Sequence, residues 1–496
     1  MITNTTLWFG DDDSSYDMNT DHFLTDDDFA EDMSSSDYSD SDDDCTVNVD
    51  NSDTDPSCVK LHSLLNINPY SRRERQRLNE EAIIEEVMQN PNAAMILCHR
   101  SFSVKSFLPH YPLHMAIALG ASLNVVKILY NAFPAAINET CMYKGSDNST
   151  LHIACLFRAS VDVVSFLLEK CPDAIQRKGY NGNKPLQSAI KSNAPFDSIF
   201  LLLRSKKETI REKDECGGTI LHLACACASD MNTISLLLDE YPEAVKVKND
   251  KGNTPLHEAC MSSSPLEVVT LLLEKYPAAA FKTNDCGETL LHAACMRNDP
   301  SEVLPMLLER FPDAVRGKNN WGWTSLHVAI EKSLSSELLS QMIEKFPEAT
   351  RINFGDGLTL LHHACFMNAQ LEVIMLLLKR YPEAVLRKSD DGNTPLEIVK
   401  HHNGALNALK MCAIVSELLC NKSDVMAAAT IMNTFTQKKW WDGVAICLDV
   451  RPSLERSLDI HTTSTPNFLS YVGRHCKLLT MWEMISNMQD LLKIND

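Results

Sequence analysis

In the stretch NTPLHEAC, Asn253 to Cys260, His257 and Cys260 stand three residues apart, which places an imidazole and a thiol on one face of a helix. Two chemistries use that pair. A histidine beside a cysteine can activate a thiolate nucleophile, and nitrogen with sulfur is a zinc ligand set. Zinc, however, closes a tetrahedron at bond lengths of about 2 Å, and one such stretch supplies two ligands at most. The decisive observation is that the pair recurs. TILHLAC holds His222, TLLHAAC His292, TSLHVAI His327 and TLLHHAC His362, so that with His257 each follows the last by 35 residues; His152 in STLHIAC extends the series upstream. Gln187 and Glu397 fill the flanking slots. Gly182, Gly217, Gly252, Gly287, Gly322, Gly357 and Gly392 share the period, as do Leu186, Leu221, Leu256, Leu291, Leu326, Leu361 and Leu396. A column shared by so many blocks reads as architecture, with Cys as a small buried hydrophobe, and no metal, cofactor or catalytic residue is assigned.

Each block spells out its own elements. Gly252 permits the positive φ of a tight turn, Thr254 caps a helix, and Pro255 sits where a missing N–H is harmless. Leu256, Ala259 and Cys260 then form a buried stripe at helical spacing. A second helix is expected from about Ser264-Pro265 through Leu266, Val269, Leu272 and Leu273 to Tyr276-Pro277, where the proline ends it.

A turn followed by T-P-L-H-x-A and two helices resembles the ankyrin repeat, over roughly residues 108–421 as about nine units. The resemblance implies an all-α solenoid of stacked helix-turn-helix units with short hairpin loops, in which the His ties neighbouring turns together. The sequence departs from the family in its 35-residue period, in lacking the usual Gly between helices, and in a Y-P-E-A-V ending such as Tyr241 to Val245. The step from His114 to His152 is 38, which places a small insertion around Thr140 to Gly145.

Charge divides the chain more sharply than hydropathy. The first 59 residues hold 18 acids and no Lys or Arg, while the remainder carries 48 acids against 46 bases. Residues 1–58 are expected to be a disordered acidic tail, 59–107 a helical N-terminal cap and 422–496 a helical C-terminal cap region. Ser34, Ser39 and Ser41 each precede an acid by three positions and are candidate phosphosites. Arg72, Arg73, Arg75 and Arg77 read as a solvated helix start, with a weak nuclear-import signal as the alternative. The net charge of -20 argues against nucleic acid, and no run approaches the roughly 18 apolar residues of a membrane span. Scattered cysteines, odd in number, and an N-terminus without a signal pattern lead us to expect an intracellular monomer, cytoplasmic in preference to nuclear.

The resemblance implies binding of another protein through loop tips and a concave helix face. Phosphate-loop, nucleophile-elbow, kinase and paired C-x-x-C motifs are absent from the sequence, so a non-enzymatic scaffold or adaptor is expected. The rival is a transcription-linked regulator acting through the acidic tail, whose LWFGDDD and FLTDDDFAEDM segments interleave aromatics with acids. Loop tips NNWGWT and NFGDGLT carry Trp321, Trp323, Phe354 and Leu358, which either anchor a partner or fold back onto the neighbouring loop. The slot after the Cys holds Met261, Met296 and Phe366, a second candidate surface. A Lys column, including Lys178, Lys213, Lys248, Lys318 and Lys388, is interspersed with Asp214 and Asp250 and reads as a solvated face.

Overall fold

The computed structural model describes residues 56–97, 111–143, 146–355, 357–401 and 406–420, with isolated positions between 431 and 447. The acidic tail with Ser34, Ser39 and Ser41, and the tryptophans Trp440, Trp441 and Trp482, lie outside the described residues.

The chain separates into two compact units, one of residues 1–250 with 254–276, the other of residues 251–253 with 277–496. In the first, a helix at Pro56–Leu64 packs against one at Glu80–Gln89, with the single turn Arg72–Arg75 between them in sequence. Helix pairs follow at Pro112–Leu119 with Leu123–Ala132, Thr150–Leu156 with Val161–Lys170, Pro185–Lys191 with Phe196–Ser205, Ile220–Ala226 with Met231–Glu240, and Pro255–Met261 with Leu266–Lys275. The second unit holds Leu290–Cys295 with Val303–Arg310, Ser325–Glu331 with Ser336–Lys345, Leu360–Phe366 with Leu371–Arg380, and Pro395–His401 with Leu406–Cys420. Within each unit, first helices lie against first helices of the neighbouring pair and second against second.

Neither helix of a pair can bury its stripe alone. In the pair at 255–275, Leu256, Ala259 and Cys260 are fully enclosed, and the second helix encloses Val268, Val269, Leu272 and Leu273. Each such aliphatic side chain contributes about 1.5–3 kcal/mol on burial. Leu266, expected in that stripe, is only half-buried because as the first helical residue it lies beside the turn rather than on the inner face.

Three details were not evident from the repeat. The Y-P-E-A-V ending is a 3-10 turn, as at Pro242–Lys246 and Pro382–Leu386, entered through a proline whose fixed φ suits its first position. The Gly missing between the helices leaves its conformation behind: Arg158, Asn193, Ala228, Ser333 and Asn368 all take φ between 51 and 58, where the first pair has Gly120. Their neighbours close the helix end as a Schellman turn does, with the Ala194 N–H reaching the Ala189 carbonyl at 2.8 Å. The insertion near Thr140 folds into a hairpin, strand β1 (Thr140–Tyr143) pairing antiparallel with β2 (Ser146–Ser149) in register Thr140↔Ser149. Loops at Lys213↔Thr219, Lys318↔Thr324 and Phe354↔Leu358 make one bridge each. Among the described residues no helix is long and apolar enough to cross a membrane.

Candidate protein-interaction surface

The recurring histidine is the third residue of its helix, and there it faces the cap. The Thr254 backbone N–H donates to His257 Nδ1 (3.3 Å), and the same bond recurs at Thr219, Thr289, Thr324 and Thr359 with their own histidines. Since a backbone N–H can only donate, Nδ1 must be the acceptor, and the proton sits on Nε2. That proton crosses to the next turn: His152 Nε2 donates to the Asn183 carbonyl (3.0 Å), His292 to Trp323 (3.1 Å) and His362 to Asn393 (3.2 Å). Where His is replaced, the cap survives, because Gln187 Oε1 accepts from the Lys184 N–H (2.7 Å) and Glu397 Oε2 from the Thr394 N–H (2.6 Å). The His thus performs the reciprocal capping that Glu or Gln gives elsewhere, and adds a bond between units.

Burial sets the protonation state. His114 and His152 are pushed down to about 4 by burial, as is His363. His327 is held well below the ordinary range by burial first and then by the neighbouring His363 and His292. With Nδ1 and Nε2 of His152, His292 and His362 both engaged, no lone pair remains for an ion, and the buried thiols of Cys155 and Cys295 are pushed up by burial, away from the thiolate that catalysis or zinc requires. Among the described residues no three His, Cys, Asp or Glu side chains gather around one point that could hold a metal.

The glycine column has a second reason beyond its positive φ. Asp250 Oδ1 stands 2.1 Å from where a Cβ on Gly217 would be, Asp285 2.2 Å from that of Gly252, and Asn320 2.6 Å from that of Gly287. The same residue donates its backbone N–H to the earlier turn, from Asp250 to Cys216 (2.9 Å) and from Asn320 to Cys286 (2.9 Å). Asp250, read from sequence as part of a solvated face, is therefore a turn-to-turn contact. Asp214 accepts from Cys216 and Gly218 within its own turn. The named lysines of that column are exposed. Beside Lys178, Lys184 and Lys213, a cleft of ≈ 390 Å³ also presents Glu212, Asp214 and Glu215, a lining of both signs.

The aromatic tips divide. Trp321 is 51% exposed. Phe354 on the adjacent tip takes the second of the two outcomes left open, folding back: it is 4% exposed and lies edge-on to the His327 ring at 4.1 Å. Trp323 is half-buried, stacked on His327 at 6.0 Å and edge-on to His363 at 5.0 Å, and Leu358 is half-buried opposite Phe354. The inward packing has a physical cause: His363, an extra imidazole in TLLHHAC, bonds the His327 carbonyl (3.2 Å) and completes an aromatic box that draws both rings inward. Of the second surface, Phe366 is 39% exposed, whereas Met261 and Met296 are half-buried. Phe157, which follows the same slot, is buried against Tyr70 at 5.5 Å.

Among the exposed apolar groups not anticipated, Phe281 breaks a local pattern. Phe281 is 66% exposed at the end of a 3-10 turn where most corresponding residues are basic (Arg211, Lys246, Arg316 and Arg351, with Gln176 and Leu386 at the ends). Arg211 lies over the Tyr241 ring (4.9 Å) and Arg316 over Phe346 (4.7 Å), whereas Phe281 meets Phe311 edge-on at 5.7 Å. The signal in the sequence was a break in a basic column, visible only once the 3-10 turns are aligned.

The family pattern described as ankyrin repeats in three copies matches residues 113–214, 189–283 and 265–349, and that of the single ankyrin repeat matches 356–388. No curated protein matches the chain. Ankyrin repeats are, in general, modules for protein–protein interaction. The matched segments, the buried T-x-x-H caps and the turn-to-turn ladder describe the same units, and the chain belongs to the ankyrin-repeat family.

Proposed function

We propose that this protein is a non-enzymatic scaffold or adaptor, acting inside the cell and binding a partner protein through its repeat array without a cofactor. One observation carries the reading. The polar residues that recur every 35 positions are buried and bonded within the stack, while large apolar residues that break the period, Trp321, Phe281 and Phe366, stand exposed. Exposed Trp and Phe on a rigid backbone suit the anchors of an interface, where one such residue can contribute about 2 kcal/mol or more. The test compares intact protein with Trp321→Ala/Phe281→Ala in affinity capture read by mass spectrometry. The expected result is a defined partner set retained by the intact chain and lost by the variant, at unchanged melting temperature. Identical capture by both would remove these residues as anchors. The regulator reading is separated by deleting residues 1–58: an adaptor keeps its partners, whereas a tail-driven regulator keeps them and loses its transcriptional output.

A further inference from the structure

The turn Arg72–Arg75 carries three arginines in four residues and is capped by Ser71, whose Oγ accepts from the Glu74 N–H (3.2 Å). Tyr70, just before it, lies against the Phe157 ring at 5.5 Å, which brings this turn beside Arg158. Arg158 occupies the left-handed position between two helices (φ 58), and its Nε donates to the Ser192 carbonyl. Three guanidinium groups, of Arg72, Arg75 and Arg158, thus come from two separated segments of the first unit. The only acid on the turn, Glu74, turns back to accept from the Asn68 N–H (2.9 Å).

Several cations elsewhere in this unit have partners. Lys60 meets Glu86 (2.8 Å), Lys207 meets Glu240 (3.1 Å), Lys184 meets Glu212, and Arg211 lies over Tyr241. Among the described residues Arg72, Arg75 and Arg158 have no carboxylate within ion-pair distance. Arg75 is half-buried, and its cationic form is disfavoured first by burial and then by the charges of Arg158 and Arg72. Like charges held together in this way favour an anion with several carboxylates or phosphates.

The chain's uncompensated negative charge lies in its first 59 residues, and of its acidic stretches Glu31 to Asp44 is nearest in sequence to the arginines and holds Ser34, Ser39 and Ser41. Beyond residue 59 acids and bases nearly balance, whereas Glu31 to Asp44 holds seven acids and no base. Residues 45–55 link that segment to Pro56 and span at most about 40 Å when extended. From Pro56 to Arg72, one short helix and the residues after it cover at most about 40 Å. The arginines are therefore within reach of the segment.

We propose that Arg72, Arg75 and Arg158 form a docking site for the acidic segment Glu31–Asp44 of the same chain. Phosphorylation at Ser34, Ser39 or Ser41 tightens this contact by adding charge. The proposal does not depend on the partner surface assigned above. It is tested on the full-length chain by the rate at which chymotrypsin cleaves after Tyr38, in about 50 mM and about 500 mM NaCl, with free peptide 31–44 as the reference for salt effects on the protease. The expected result is that Arg72→Glu/Arg75→Glu/Arg158→Glu raises the rate about five-fold or more at low salt. The exposed pair Arg73→Glu/Arg77→Glu changes it less than about two-fold, and high salt brings intact protein to the rate of the charge-reversed variant. Should that variant melt early, the salt response of the intact protein and retained protection in Arg72→Lys/Arg75→Lys/Arg158→Lys decide the matter. Equal cleavage of intact and folded charge-reversed protein, or protection in the intact chain that high salt leaves untouched, would overturn it. Protection that grows with protein concentration would assign the segment to a second copy and overturn it equally.

Discussion

A backbone N–H at the start of each first helix needs an acceptor, and a neutral imidazole supplies one on Nδ1 while donating from Nε2. His292→Ala removes both and leaves a cavity, at a cost of about 3 kcal/mol; His292→Gln restores the cap and recovers a substantial part, read as denaturation midpoints at a common slope. Protonation has a similar effect to deletion, since an imidazolium cannot accept. The unfolded imidazole titrates near 6.5, whereas burial takes His114, His152 and His363 down to about 4. Between those values the unfolded chain binds more protons, so stability is complete above pH 6.5 and falls as pH drops toward 4. Each of the three histidines removes about 1.4 kcal/mol per pH unit within that window. Thermal melts followed by circular dichroism should show midpoints that are flat above pH 7 and decline steeply below pH 6. Much of this was legible in the sequence, because Gln187 and Glu397 in the same slot are the usual third residue of a capping box. The inward fold of Phe354 was not, since it depends on His363, a neighbour only in three dimensions.

At the scale of the element, the turn between helices holds strain that the sequence hid. Ala228 sits at φ 51, a conformation that disfavours a side chain by about 1 kcal/mol and that glycine adopts freely. Ala228→Gly should therefore raise stability by about 0.5–1 kcal/mol, against the usual effect of placing glycine in a chain, with a matching rise in denaturation midpoint. Helix starts and ends were readable from Thr254, Pro255 and Tyr276-Pro277, because caps and prolines act on their own neighbours. Left-handed residues such as Arg158 and Ala228 carry no such local signature. Their conformation is imposed by the packing of the two helices they join.

Within each of the two compact units, the 35-residue period set out the stacking because each repeat contributes the same caps and ladders to the next. The family match covers residues 113–349 and 356–388 of that periodic region. Interactions limited to neighbours should keep damage local. Hydrogen exchange of His222→Ala is expected to lose protection in residues 185–205 and 220–240, while Ser336–Lys345 and Leu371–Arg380 keep theirs. Partner identity was not legible, since exposed residues such as Trp321 and Phe281 are the ones the period leaves unspecified. The thiol column has a practical corollary. Cys155, Cys225, Cys295 and Cys365 are sealed inside alternate repeats, the first three thiols pushed up by burial and Cys365 by its hydrogen bond with Cys412 and then by burial, whereas Cys216 and Cys420 face solvent. An alkylating reagent should mark the exposed thiols within seconds and each of these inner sulfurs only when its own repeat breathes, so alternate repeats carry a gauge for where the protein comes apart first.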